Sequence, residues 1–118
     1  MAHSILTIWH NPRCSKSRQT LQLIEAADRP VTIRRYLEDS PSSGEIAEIL
    51  TQMDVSDPRQ IMRTGERVYK EMNLSKVTDT AELIAAMALH PILIERPIVS
   101  DGTRAIMGRP PESVNKLL

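Results

Sequence analysis

Residues 10–18, HNPRCSKSR, contain the only cysteine of the chain, Cys14. The apolar residues 5–9 before it predict a short strand, and residues 17–27 after it have the spacing of an amphipathic helix. Cys14 is therefore expected at a strand-to-helix turn, where free backbone N–H groups and the helix dipole stabilise a thiolate. Lowering a thiol pKa by about two units from ~8.5 makes the thiolate the main form at pH 7.

The neighbours of Cys14 favour a reactive thiol over the main alternative, an inert cysteine that fills space in the core. They are polar and charged rather than apolar, and four of them could add positive charge near the sulfur: His10, Arg13, Lys16 and Arg18. A positively charged environment lowers the pKa of a thiol. The sequence therefore predicts a nucleophile at this position.

The spacing around Cys14 argues against three other kinds of cysteine site. A redox dithiol needs C-x-x-C, but the second position is Ser17. A tyrosine-phosphatase loop needs an arginine six residues after the cysteine, where this chain has Thr20. A zinc site needs three or four ligands, and of the three histidines only His10 is near. We predict no resolving cysteine in the chain and no metal.

The elements between this site and the C-terminus are predicted from apolar periodicity and capping residues. Residues 31–36 predict a second strand, which completes a β-α-β unit. Ser42 and Glu45 form a capping-box pattern before apolar residues at helical spacing. Asp57-Pro58 can begin a short helix to about residue 62, and Thr78 or Asp79 can begin another that ends at residue 89.

The C-terminal part of the chain predicts a hairpin and a last short helix. Residues 92–100 and 103–107 flank Asp101-Gly102, the kind of two-residue loop that favours a type I′ turn. A final helix can begin near Pro110-Pro111. The fold class predicted is α/β: a thioredoxin-like, mixed four-stranded sheet flanked by helices, with a helical insertion between the β-α-β unit and the hairpin.

Length and charge narrow the possible functions. A chain of 118 residues fits a single domain, 1–118, and its formal net charge of zero argues against a nucleic-acid binder. The longest apolar run, residues 83–89, is far shorter than the ~20 residues that span a bilayer, so no membrane partner is expected. One cysteine and no signal-peptide pattern predict a reducing, cytoplasmic setting.

Two blocks of residues resemble those of the glutaredoxin-dependent arsenate reductase family, and the similarity extends from residue 5 to about residue 118. The first block is HNPRC at 10–14 with Ser17, Arg18 and Thr20, and the second is HPILIERPIV at 90–99. The resemblance implies that Cys14 is the nucleophile. It also implies that three arginines bind the oxyanion and converge on the sulfur: Arg63, Arg96 and Arg109.

The resemblance assigns supporting roles as well. It implies that His10 helps to lower the pKa of Cys14, that Ser17 supports the site, and that Arg96-Pro97 is a cis peptide beside the cysteine. It also implies that arsenate is the substrate, glutathione the co-substrate and glutaredoxin the partner, with no bound cofactor. The single cysteine agrees with this scheme, because the other thiols must come from outside the chain.

Other interpretations remain open from the sequence. The three arginines could instead cap a helix, form an edge-strand ion pair or lie in solvent. The same site could reduce another oxyanion with thiols. The chain could also be a non-catalytic, thioredoxin-like regulatory or adaptor protein.

Overall fold

The structure, a computed structural model, describes residues 5–118. The chain forms two compact units, and the second is inserted into the first. The sheet unit contains the residues up to Asp39 together with Arg96–Leu118, and the inserted unit contains Ser40–Glu95. Among the described residues, no helix is both long enough and apolar enough to cross a membrane.

The sheet unit is built on four short strands in the order β2-β1-β3-β4. The central strand β1 pairs in parallel with β2 and antiparallel with β3, and β3 pairs antiparallel with β4. The parallel register aligns Leu6 with Val31, and the antiparallel one aligns Ile8 with Val99. The strands are β1 Leu6–Trp9, β2 Val31–Arg34, β3 Ile98–Ser100 and β4 Ala105–Met107.

A helix and a C-terminal 3₁₀ helix pack with this sheet. The helix α1 spans Ser15–Ala26 and connects β1 to β2, and the 3₁₀ helix spans Pro111–Leu117. Aliphatic side chains from these elements and the strands form one buried cluster: Leu6, Ile8, Ile24, Val99, Val114 and Leu117. Burying such side chains contributes about 1.5–3 kcal/mol each. This cluster holds the end of β1, and so the start of α1, in place.

The inserted unit is helical, as predicted. The helices α2 (Ser43–Met53), α3 (Arg67–Glu71) and α4 (Thr80–Leu89) are joined by 3₁₀ helices at Pro58–Ile61 and Leu74–Lys76, and a further 3₁₀ helix at Pro91–Leu93 follows α4. The predicted capping box begins α2, with reciprocal hydrogen bonds between Ser42 and Glu45 of 3.1 and 2.9 Å. Asp57 and Asp79 cap the next two predicted helices through backbone N–H groups. The fold class predicted from the sequence is confirmed.

The hairpin differs from the predicted one in its loop. Ser100 pairs with Ala105, so four residues rather than two connect the strands. Asp101 explains the longer loop, because its carboxylate accepts the N–H groups of Thr103 and Arg104 at 2.9 and 2.7 Å. A type I′ turn needs a positive φ at both central residues, and here only Gly102, at 94°, has one.

The long strand predicted over residues 92–100 is wrong in its first half. Pro91–Leu93 is a 3₁₀ helix, and β3 begins only at Ile98. Pro97 lacks an N–H and cannot donate to a sheet ladder, which separates the apolar residues before it from the strand after it. Ile94 instead forms an isolated antiparallel bridge with Met62 inside the inserted unit.

Candidate active site

Cys14 is the N-cap residue of α1, at the turn where the sequence predicted it. Its backbone is extended, with φ −95° and ψ 123°. The Cys14 N–H donates to the Asn11 carbonyl at 3.0 Å, and its own carbonyl accepts the Arg18 N–H at 3.0 Å. These bonds fix the turn between β1 and α1. The residue is 9% exposed, so the thiol is largely sheltered from solvent.

The N-terminus of α1 and Arg96, which is distant in the sequence, lower the pKa of the Cys14 thiol. Burial raises the pKa of Cys14, but the backbone N–H groups of Ser17 and Lys16 and the guanidinium of Arg96 lower it by more. The result is a pKa below the ordinary value of a free thiol. Free N–H groups in the first turn of a helix are natural donors to an anion. The site can therefore hold Cys14 as a nucleophilic thiolate.

His10 is linked to the first turn of α1 through Ser17, and both side chains are buried. His10 Nδ1 lies 2.6 Å from Ser17 Oγ, which also accepts the Asn11 N–H at 3.1 Å. Burial and the nearby Arg35 lower the pKa of His10. The imidazole is therefore neutral at pH 7, and its Nδ1 and the Ser17 hydroxyl share one hydrogen bond. His10 orients the residue whose N–H faces the Cys14 sulfur.

Arg96 and Arg109 lie together at Cys14, as the resemblance implied. Arg109 Nη2 is 3.8 Å from Cys14 Sγ, and its Nε donates to the Arg96 carbonyl at 2.9 Å. The guanidinium of Arg96 also acts on the thiol, because its charge and its N–H groups lower the pKa of Cys14. Guanidiniums keep their charge at any working pH and present several N–H donors in a plane. Two of the three predicted arginines therefore flank the thiol with donors suited to an oxyanion.

Two prolines adjoin these arginines, and both peptide bonds are cis. The Arg96-Pro97 bond is cis as the resemblance implied, and the Arg109-Pro110 bond is a second one that the sequence analysis did not anticipate. Between them, the Gly108 N–H donates to the Pro97 carbonyl at 2.9 Å. This hydrogen bond connects the two segments that carry the arginines.

Gly108 is a positioning residue that the sequence analysis missed. A Cβ at this position would overlap Thr20 Oγ1 and would lie 2.7 Å from Pro97 Cγ. Thr20 is fully buried on α1. Only glycine lets the segment before Arg109 pack this closely against α1. The signal in the sequence is a glycine directly before the Arg-Pro pair.

Arg63, the third predicted arginine, belongs to the inserted unit. Its N–H donates to the Leu93 carbonyl at 2.7 Å, and its guanidinium pairs with Glu66 at 3.6 Å and Glu95 at 3.9 Å. Arg63, Glu66 and Glu95 line an open polar cavity of about 380 Å³. Its predicted role at the Cys14 sulfur stays a prediction.

The sheet order, and a cysteine at a helix N-terminus beside two guanidiniums, are those of a thioredoxin-like protein with a site suited to an anion. The chain belongs to the ArsC family, whose model matches residues 9–117.

Known members of the family align with nearly the whole chain. An arsenate reductase of Haemophilus influenzae is 45% identical over 112 residues, which is 94% of this chain and 97% of that one. An arsenate reductase of Neisseria meningitidis is 38% identical, over 96% of this chain and 97% of that one. A solved structure of an arsenate reductase from Vibrio cholerae has a TM-score of 0.93 and 44% identity, and covers 99% of this chain and 100% of that one.

Proposed function

We propose that this protein is an arsenate reductase that uses Cys14 as its nucleophile and draws the reducing thiols from glutathione and glutaredoxin. The observation that carries the proposal is the pair of guanidiniums, Arg96 and Arg109, at a thiol whose pKa is lowered. The names of the relatives support arsenate as the substrate. The absence of a second cysteine from the sequence supports an external thiol.

The first step is attack by the Cys14 thiolate on arsenic(V). A sulfur–arsenic bond forms, and one arsenate oxygen leaves as water after it takes up protons. Arsenate and a thiolate repel each other as anions, so the barrier depends on the positive charge around them. Arg96 and Arg109 offset that repulsion and donate to the arsenate oxygens, as preorganised donors do in an oxyanion site. Arg63 is proposed as the third donor.

The later steps need two thiols from outside the chain. Glutathione displaces a second arsenic oxygen as water and forms a second sulfur–arsenic bond. A glutaredoxin thiolate then attacks the glutathione sulfur, and the electron pair of the broken bond reduces arsenic(V) to arsenic(III). Glutaredoxin leaves as its mixed disulfide with glutathione. Hydrolysis of the remaining bond releases arsenite and restores the Cys14 thiolate. Such thiol supplies are found in the cytoplasm, where we place the enzyme.

The test is a coupled assay in which NADPH, glutathione reductase, glutathione and glutaredoxin are supplied and arsenate starts the reaction. We expect arsenate-dependent NADPH consumption and stoichiometric arsenite, both lost in Cys14→Ser. Arg67→Ala is the matched control, because Arg67 is an exposed arginine of the inserted unit that pairs with Glu71 on its own helix. Omission of glutathione or glutaredoxin should stop turnover. Turnover in Cys14→Ser, or no arsenite from the wild-type protein, contradicts the proposal.

A further inference from the structure

A cavity lies beside the segment that carries Cys14, inside the sheet unit. It has a volume of about 340 Å³ and is lined by residues 10–13 on one side and by Arg35, Leu37 and Glu38 on the other. This volume is within the ~300–1,000 Å³ of typical small-molecule sites. Cys14 is the next residue in the chain after this first side of the cavity, and its N–H donates to the Asn11 carbonyl at 3.0 Å.

The charged side chains that line this cavity are two guanidiniums and one carboxylate: Arg13, Arg35 and Glu38. All three side chains are exposed, and so is Leu37, at 43%. His10, which also lines the cavity, is neutral because burial and Arg35 lower its pKa. The cavity therefore presents two fixed positive charges, one negative charge and one apolar surface.

Glutathione carries the complementary set of charges at neutral pH. It has two carboxylates, one at each end, and one ammonium beside the first of them. Guanidiniums are the preferred partners of carboxylates, which they bind through paired N–H donors. A site with one positive charge cannot distinguish a dipolar peptide from any other anion. A site with two positive charges and one negative charge can distinguish them.

We propose that this cavity binds the glutathione that reacts with the arsenic adduct on Cys14. Arg13 and Arg35 bind the two carboxylates, Glu38 binds the ammonium, and the cysteinyl part of glutathione extends toward the sulfur of Cys14. This inference rests on the proposed function, because the glutathione bound here would take part in arsenate reduction. The three charged residues of the cavity would then select the co-substrate.

The test uses a reaction that needs no arsenate. The Cys14 thiolate attacks one sulfur of oxidised glutathione, the disulfide bond breaks, and one glutathione thiolate leaves while the other half stays on Cys14. Stopped-flow and mass spectrometry give the rate and the site of modification. The same measurement with bis(2-hydroxyethyl) disulfide, which has no charge, reports the intrinsic reactivity of the thiolate. The ratio of the rate with oxidised glutathione to the rate with the uncharged disulfide measures how well the protein recognises the charged groups of glutathione.

We expect Arg13→Ala and Arg35→Ala each to lower that ratio by about five- to tenfold, the effect of losing one charge-assisted hydrogen bond at a partly exposed site. The Glu38→Gln variant separates specific binding of the glutathione ammonium from general electrostatic attraction of the negatively charged disulfide. Oxidised glutathione has a net negative charge, so general electrostatic steering predicts a faster reaction when Glu38 loses its charge. The proposed site predicts a slower one, because the ammonium loses its partner.

Steady-state kinetics then connects the cavity to turnover. In the coupled assay, both arginine variants should raise KM for glutathione by a similar factor and leave KM for arsenate unchanged, with Arg67→Ala as the control. Unchanged rate ratios, a faster reaction in Glu38→Gln, or no reaction of Cys14 with oxidised glutathione would overturn the site. If the ratios fall as expected but arsenate is not reduced, the proposed function fails and the cavity assignment stands.

Discussion

Arg109 Nη2 lies 3.8 Å from Cys14 Sγ, although the two residues are 95 positions apart in the chain. The same arginine is anchored by a second hydrogen bond, from Nε to the Arg96 carbonyl at 2.9 Å. One edge of the Arg109 guanidinium therefore bonds to the backbone, and another edge faces the thiol. This arrangement makes the segment that carries Arg109 and the turn that carries Cys14 one chemical site.

The charge and the planar geometry of Arg96 should be separable by substitution. Arg96→Ala should lower kcat/KM for arsenate by a transition-state penalty of about 2–4 kcal/mol, the range for loss of one oxyanion donor. Arg96→Lys keeps the charge but loses the planar pair of donors, so it should still bind arsenate and turn over slowly. Steady-state kinetics in the coupled assay measures both. Wild-type kcat/KM in Arg96→Ala would remove Arg96 from the site.

The reactivity of Cys14 should follow a lowered pKa. The rate of alkylation by iodoacetamide should rise with pH to a midpoint below the ~8.5 of a free thiol. Arg96→Ala should move that midpoint upward, because the guanidinium of Arg96 lowers the pKa of Cys14 and so favours the thiolate. A wild-type midpoint near that of a free thiol would show that the helix terminus and Arg96 do not activate Cys14.

The lowered pKa of Cys14 also makes the free energy of unfolding depend on pH. A thiol with a lowered pKa in the folded state stabilises the protein fully above its unfolded pKa, and this contribution is lost as the pH falls through the folded pKa. The free energy of unfolding of the wild type, relative to Cys14→Ser, should therefore decrease as the pH is lowered across that window. Urea denaturation at several pH values measures it. A constant difference between the two proteins would contradict the lowered pKa.

Ser17 should stabilise the folded protein through its buried hydroxyl. Ser17→Ala leaves the buried His10 Nδ1 and the Asn11 N–H without their shared partner. An unsatisfied buried polar group costs about 1–3 kcal/mol, so the free energy of unfolding should drop by that amount. Chemical denaturation measures this loss. Ser17→Thr keeps the hydroxyl and should recover part of the stability, whereas equal losses in the two variants would exclude the hydrogen bonds as the cause.

Gly108 should be intolerant of even one added carbon. Gly108→Ala would force Pro97 and the buried Thr20 apart, and overpacking of this kind costs about 1–3 kcal/mol. Because the segment also positions Arg109, kcat should fall as well. Gly44→Ala is the control: its Cβ would meet only Ser42 Oγ, at 3.8 Å, on a helix where alanine is favoured over glycine. Equal stability and activity in the two variants would argue against close packing at Gly108.

The local elements of this protein could be predicted from the sequence because the signals for them are local. The strand-to-helix turn at Cys14 follows from an apolar run and helical spacing within about twenty residues. The capping box of Ser42 and Glu45 is likewise contained in four residues, and it is present as predicted. The loop of the hairpin was mispredicted because the side chain of Asp101, rather than the residue types at two turn positions, determines its length.

Tertiary structure alone decided how the site is assembled. The sequence identified Arg96 and Arg109 only by resemblance, since no periodicity or propensity relates residues so far apart. The sheet order places β3 directly beside β1, which brings the segments around β3 and β4 to the start of α1. Close packing at Gly108 and the hydrogen bond from Arg109 to the Arg96 carbonyl then orient the guanidiniums. Such contacts depend on which surfaces meet after folding, and a local pattern of residues does not encode them.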